Sequence, residues 1–76
     1  MYYVRQQSEA KEAWIMRDWL IKLRKEKNAT QEQIATECGI SRQYYGFIED
    51  GNRNVPVKTA KKIAEVLGFD WQKFFE

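Results

Sequence analysis

The sequence contains no histidine and only one cysteine, Cys38, among its 76 residues. A chain without histidine lacks the usual general base, and a single thiol leaves neither a Cys–His nucleophile pair nor a zinc site of ordinary ligand spacing. A glycine-rich phosphate loop is also missing, and the carboxylates are scattered among lysines and arginines. We therefore expect no enzymatic activity, no catalytic residue, no metal and no small-molecule cofactor.

Long apolar runs are absent, and so is the short apolar segment with a cleavage site that marks a secreted protein. One cysteine cannot form an internal disulfide, which agrees with a reducing compartment. We expect a cytoplasmic protein without a membrane partner. The formal net charge of +2 is too small to identify a nucleic-acid binder by itself.

Apolar residues recur at helical spacing over most of the chain, and no segment shows a convincing strand pattern. A chain of this length, with 43% hydrophobic and 32% charged residues, forms one small globular domain. We predict an all-α domain of five helices, over residues 9–27, 31–38, 42–49, 57–67 and 71–75. In the first helix, Met16, Leu20 and Leu23 fall on one inward face.

Two short helices joined by a tight turn are predicted between Thr30 and Gly51. Thr30 and Gln33 have the spacing of a capping box, and Ser41 can cap the second helix. Gly39 stands where a left-handed residue ends the first of the two. A helix, a short turn and a second helix with polar residues on its first exposed turn are typical of a reader of the DNA major groove.

These residues resemble the lambda-repressor-like, Cro/repressor class of regulators, the XRE family. The matching positions are Thr30-Gln31, Ile34-Ala35, Gly39-Ile40-Ser41-Arg42, Ile48-Glu49 and Gly51. The resemblance covers about residues 16–75 and implies a compact helix-turn-helix domain, which we place at residues 14–76. Residues 1–13 are then an N-terminal extension without a family counterpart. The resemblance also implies an ion pair between Glu49 and Arg24.

Double-stranded DNA is the partner that the resemblance implies, with the helix after Ser41 as the recognition helix. There Arg42 can pair with guanine and Gln43 with adenine, each through two hydrogen bonds. The residues expected at the DNA interface are Gln31, Ser41, Arg42, Gln43, Tyr44, Phe47, Asn52, Arg53 and Lys58. For those outside the recognition helix, an ordinary solvated position is the alternative.

Three large aromatic residues lie near the end of the chain, Trp71, Phe74 and Phe75. They exceed what a small core normally absorbs, so we predict a homodimer interface there, the alternative being that they cover the first helix. The predicted function is a transcriptional regulator, a repressor of phage or mobile-element type that binds an inverted-repeat operator. The alternative is a protein-binding module, such as an antitoxin or a phage accessory protein, acting through the aromatic surface. A purely structural helical domain is a third possibility.

Overall fold

The computed structural model describes residues 16–51 and 54–76, whose regular structure is entirely helical, which confirms the all-α prediction. The elements are α1 Asp18–Glu26, α2 Gln31–Cys38, α3 Arg42–Glu49, α4 Val57–Leu67 and a 3-10 helix Trp71–Phe75. None of these helices is long and apolar enough to cross a bilayer. The predicted N-terminal extension lies outside the described residues, and so do Asn52 and Arg53.

The first helix starts later than predicted. It begins at Asp18, so the prediction of one helix over residues 9–27 is wrong at Met16 and Arg17, and the part before Met16 lies outside the described residues. The Arg17 backbone N–H donates to the Glu49 carbonyl oxygen at 2.8 Å, and Met16 is 51% exposed rather than inward. In a longer first helix, the Arg17 N–H would donate to a carbonyl oxygen within the helix. Here it donates to Glu49 instead, and the local spacing of apolar residues does not reveal this contact.

The segment predicted as a fifth α-helix is a 3-10 helix, so the described domain has four α-helices, not five. The Asp70 carboxylate accepts from the Gln72 N–H at 2.9 Å and thereby caps the start of this helix. The Lys73 N–H then donates to the Asp70 carbonyl oxygen, three residues earlier. Hydrogen bonds between residues three apart define this tighter helix, which is common in short segments.

The hydrophobic core receives side chains from all five helical segments and from the loop before α4. Its buried members are Leu20, Ile34, Ala35, Tyr45, Ile48, Val55, Ala60, Ile63, Leu67 and Phe74. In α4 the buried residues are Ala60, Ile63, Ala64 and Leu67, whereas Val57 is 47% exposed. Val57 is the first residue of α4 and lines a surface groove with Trp71 and Phe75 instead.

The packing of the helices leaves α3 held by two neighbours. α2 contacts both α3 and α4, while α1 contacts α3 and the 3-10 helix packs against α4. The helix predicted to read DNA is therefore supported by α1 and α2 together.

Candidate nucleic-acid interface

Hydrogen bonds at the helix ends define the helix-turn-helix unit. The Thr30 hydroxyl accepts from the Gln33 N–H at 3.0 Å, and the Thr30 N–H donates to Gln33 Oε1 at 2.8 Å, which completes the predicted capping box. α2 ends at Gly39, whose φ of 74° is the left-handed conformation that glycine tolerates. The Ser41 hydroxyl accepts from the Tyr44 N–H at 3.0 Å, so this predicted cap is confirmed as well.

Glu49 binds the carboxyl end of α3 to the rest of the domain. Its buried carboxylate accepts from Arg24 Nε at 2.6 Å and from Arg24 Nη2 at 3.2 Å, which confirms the implied ion pair. Gln31 Nε2 donates to the same carboxylate at 2.9 Å, so α2 and α1 both reach this group. Arg24 Nη1 also donates to the Ala29 carbonyl oxygen at 2.9 Å. The hydrogen bond to Glu49 raises the pKa of Arg24 above its ordinary value.

Tyr45 is fully buried beside this ion pair. Within the described residues its hydroxyl has no hydrogen-bond partner of good geometry, although the Glu49 carboxylate is near. Burial, and secondarily Glu49, raises the pKa of the Tyr45 hydroxyl far above its usual range. Both the ring and the hydroxyl of Tyr45 are therefore inside the core.

The amino end of α3 is open to solvent. Ser41, Arg42 and Gln43 are exposed there, while Tyr44 and Phe47 are partly buried. The first turn of α3 carries no acidic residue. A guanidinium and a primary amide next to each other on an uncovered helix end supply the hydrogen-bond donors and acceptors that base edges require.

Four residues outside α3 are predicted to contact the DNA backbone, and the structure describes two of them, Gln31 in α2 and Lys58 in α4. Gln31 is partly buried because its amide lies against Glu49. Lys58 is exposed at the second position of α4, a helix that has no side-chain cap at its amino end. Asn52 and Arg53 lie outside the described residues. The contact of these groups with DNA stays a prediction.

An open groove of about 830 Å³ lies between the turn after α2 and the exposed side of α4. Its lining residues are Cys38, Gly39, Ile40, Lys58, Thr59, Lys61, Lys62 and Glu65. Lys62 pairs with Glu65 at 3.5 Å. Burial raises the pKa of the Cys38 thiol, so Cys38 stays a small neutral residue at neutral pH. Across the described ranges, no cluster of cysteine or acidic side chains could hold a metal ion.

The C-terminal aromatic residues are divided between core and surface. Phe74 is 8% exposed, and its ring meets Trp19 edge-on with centroids 5.2 Å apart. Phe69 contacts both rings, at 5.2 Å from Trp19 and 5.6 Å from Phe74, and we call these three residues the aromatic cluster. Phe74 therefore covers α1, which is the alternative that the sequence left open.

Phe75 lies on the outside of the 3-10 helix, whereas Trp71 is partly buried and packs against the core. With Val57 they form an apolar patch around a groove of about 520 Å³, in which Phe75 is 53% exposed. Lys61 Nζ lies 5.1 Å from the centre of the Trp71 ring at the rim of the patch. The predicted dimer interface can therefore use Trp71 and Phe75, whereas Phe74 offers it little surface.

Arg17 supports α3 in a way that the sequence analysis does not anticipate. Its Nη1 donates to the Ile48 carbonyl oxygen at 2.6 Å, and its guanidinium carbon lies 5.4 Å from the centre of the Phe74 ring. Burial lowers the pKa of Arg17 below its ordinary value. Its hydrogen-bond partner lies 31 residues along the chain, so no local motif marks the residue.

Comparison with known proteins identifies the arrangement. The helix-turn-helix family profile matches residues 20–74, which include α2, the turn, α3 and the Arg24–Glu49 pair. An uncharacterized HTH-type transcriptional regulator of Bacillus subtilis (strain 168), YqaF, is 53% identical over 62 residues, or 82% of each chain. The control protein C.MunI of Mycoplasma sp is 42% identical over 57 residues, which are 74% of this chain and 77% of that protein.

A third relative matches a shorter region. The control protein C.BamHI of Bacillus amyloliquefaciens is 44% identical over 41 residues, which are 54% of this chain and 51% of that protein. The family profile covers more than half of this chain, and YqaF is similar over most of both chains. The chain belongs to the XRE family of helix-turn-helix proteins, which are DNA-binding transcriptional regulators.

Proposed function

We propose that this protein is a repressor that binds an inverted-repeat operator in double-stranded DNA as a homodimer. The observation that carries the proposal is the form of α3, which exposes Arg42 and Gln43 at one end and is anchored through Glu49 at the other. A recognition helix has to present side chains to base edges and hold a fixed angle while it does so. Both requirements are met in α3.

The proposed base contacts lie in the first turns of α3. Arg42 donates two hydrogen bonds to guanine O6 and N7, and Gln43 pairs with adenine N6 and N7. Each such pair discriminates against a wrong base by roughly 1 to 3 kcal/mol. Tyr44 and Phe47 use their remaining exposed edges against thymine methyl groups. The Ser41 oxygen accepts a backbone hydrogen bond and keeps its own O–H for a phosphate.

Backbone contacts are proposed for four residues outside α3: Gln31, Asn52, Arg53 and Lys58. Gln31 uses one amide N–H on Glu49 and has a second N–H for a phosphate oxygen. Lys58 places positive charge beside the uncapped amino end of α4, where the helix dipole also favours an anion. Asn52 and Arg53 follow α3 closely in the sequence.

The proposed dimer forms through the apolar patch of Val57, Trp71 and Phe75. Exposure of Val57 and Phe75 side by side gives each copy an apolar surface that a twofold partner can cover. Twofold symmetry of the protein then matches an inverted repeat, with half-sites about 34 Å apart along the duplex. We propose repression because a dimer on such an operator excludes other proteins from the same DNA. The phage or mobile-element type of repressor is the one that the Cro/repressor resemblance implies. Residues 1–13 are then an extension of the 14–76 domain.

Selection from random DNA duplexes tests this proposal. Wild-type protein should enrich an inverted repeat, and Arg42→Ala should lose preference at one or two positions while keeping weak, salt-sensitive binding. Lys22→Ala is the matched control because Lys22 is an exposed cation on α1 and is not one of the proposed DNA contacts. A wild-type pool without any enriched sequence would overturn the proposal, as would an Arg42→Ala pool identical to that of the wild type.

A protein-binding role, as an antitoxin or a phage accessory protein, is the second candidate, and the exposed apolar patch is the observation that favours it. In that case Trp71→Ala abolishes function while Arg42→Ala leaves it intact. The two proposals are separated by measuring both variants for sequence-specific DNA binding and for sedimentation behaviour. Loss of dimer and of operator binding in Trp71→Ala supports the repressor. A monomeric wild type that selects no DNA sequence supports the protein-binding role.

A further inference from the structure

Arg17 touches two parts of the domain that are otherwise far apart in the chain. Its backbone N–H donates to the Glu49 carbonyl oxygen at 2.8 Å and its Nη1 donates to the Ile48 carbonyl oxygen at 2.6 Å. Both acceptors belong to the last turn of α3, where carbonyl groups lack partners within the helix. The guanidinium carbon of Arg17 also lies 5.4 Å from the centre of the Phe74 ring in the 3-10 helix.

The chemistry of arginine suits both contacts at once. A guanidinium is planar, so one edge can donate to a carbonyl oxygen while its face lies over an aromatic ring. Its positive charge also interacts favourably with the carboxyl end of a helix. A lysine ammonium has three donors at one point and no planar face, so it reproduces the charge of Arg17 but not the combination.

Phe74 is itself fixed by the aromatic cluster, in which its centroid lies 5.2 Å from Trp19 and 5.6 Å from Phe69. Phe75 of the apolar patch follows it directly in the chain, and Trp71 begins the same 3-10 helix. A protein surface that covers the patch therefore contacts the same short helix that carries the Phe74 ring. Through these two contacts, Arg17 connects that helix with the end of α3.

We propose that Arg17 is a positioning residue for the recognition helix, and that it couples the position of the 3-10 helix to the angle at which α3 meets DNA. The inference rests on the proposed function, since it concerns the reading of DNA by α3. It adds a connection between the dimer surface and the reading surface. Occupying the apolar patch then sharpens sequence discrimination through Arg17 and not only by bringing two domains together.

The test uses the full chain and compares Arg17→Met, Arg17→Lys and the control Lys22→Met. Met keeps much of the apolar stem but removes the donors and the charge, while Lys22→Met removes one exposed α1 charge. The measured quantity is the ratio of affinity for the selected duplex to affinity for a scrambled duplex, well below the unfolding temperature. We expect Arg17→Met to lower this ratio about fivefold or more. Arg17→Lys should restore only part of it, and Lys22→Met should leave it unchanged.

A ratio that stays at the wild-type value in Arg17→Met, even if the protein unfolds at a lower temperature, would overturn the inference and leave Arg17 a purely structural residue. Coupling to the 3-10 helix is tested with Phe74→Leu and the double variant. Their effects on the ratio should fall short of additive, because the two residues act through one contact. Additive effects would remove the proposed link between Arg17 and Phe74.

Backbone amide chemical shifts of α3, recorded without DNA, separate this inference from the proposed function. If the wild type selects no DNA sequence, the repressor proposal fails by itself. In that event, changed amide chemical shifts along all of α3 in both Arg17→Met and Phe74→Leu support the positioning role. If the chemical shifts change only in the last turn of α3, the positioning role is rejected. Should Phe74→Leu not fold, Phe74→Met also removes the ring and keeps more of its apolar volume, and the same two outcomes apply to it.

Discussion

The two ends of α3 are supported in different ways. At the carboxyl end, Arg24 and Gln31 bind the buried Glu49 carboxylate, and Arg17 donates to the last turn. At the amino end, the Ser41 hydroxyl caps the helix and the next two side chains face solvent. Substitutions at the carboxyl end should therefore cost more folding stability than those at the amino end, which should act mainly on DNA selection.

The largest effect is expected for Arg24→Ala. Without Arg24, the Glu49 carboxylate stays buried and keeps only the Gln31 amide of its two hydrogen-bonding partners. Breaking a buried ion pair in this way costs about 3 to 5 kcal/mol of folding stability. Urea unfolding followed by circular dichroism measures the loss. Lys25→Ala, an exposed neighbour on α1, should change stability by less than about 0.5 kcal/mol. A loss near 1 kcal/mol for Arg24→Ala would mean that the carboxyl end is not anchored by charge.

Tyr45→Phe should alter how stability depends on alkaline pH. Because burial raises the pKa of Tyr45, the folded state keeps its proton where the unfolded state begins to lose it, above about pH 10. Stability is therefore fully present below that pH and falls as pH rises, by up to about 1.4 kcal/mol per pH unit from this residue. Tyr45→Phe should remove the contribution of this residue to the pH dependence of folding stability. At pH 7 the two proteins should agree within about 1 kcal/mol, because the lost hydroxyl lacks a partner. Equal alkaline slopes would contradict the prediction.

Ser41→Ala tests the weaker end of α3. Loss of a serine cap typically costs about 1 kcal/mol, well below the value expected for Arg24→Ala. Denaturant titration of both variants gives the comparison directly. Thr36→Ala is the control, since Thr36 is exposed inside α2 and caps no helix. If Ser41→Ala matched Arg24→Ala in cost, the two ends of α3 would be equally important for folding.

The smallest effect, and the only expected gain, concerns Gly46 in the middle of α3. A methyl group there would meet the Gln31 side chain at 3.7 Å and 3.9 Å, which are ordinary contact distances. Alanine is the better helix former, so Gly46→Ala should stabilise the domain by about 0.5 to 1 kcal/mol in thermal unfolding. Gly39→Ala should be destabilising because Gly39 has a φ of 74°. A lower stability of Gly46→Ala would show that the added methyl group disturbs the Gln31 amide.

Helix ends in the centre of the chain could be predicted because their determinants are local. Thr30 and Gln33, the left-handed Gly39 and the Ser41 cap each act within three or four residues, so the sequence contains the whole interaction. The exposed position of Arg42 follows from the same helical periodicity. The Arg24–Glu49 pair was reached only through family resemblance, because 25 residues separate the partners.

Features that depend on tertiary contacts could not be predicted in the same way. The start of α1 is set by the hydrogen bond from Arg17 to Glu49, and neither residue has a local cue for it. The burial of Phe74 and the exposure of Phe75 are a matter of how a five-residue 3-10 helix lies on α1 and α4, while both residues look alike in the sequence. The orientation of the domain on DNA could not be predicted either, because it depends on the shape of the DNA, which the protein sequence does not encode.

Pro56 precedes α4 and offers no side chain that could accept from the first turn, in contrast to Thr30 before α2 and Ser41 before α3. The amides at the start of α4 should therefore exchange their hydrogens with solvent water faster than the capped amides of the other two helices. A phosphate bound beside Lys58 would accept from those amides and slow their exchange. The hydrogen-exchange rates of these amides in the free and the DNA-bound protein therefore reveal whether α4 contacts the DNA backbone.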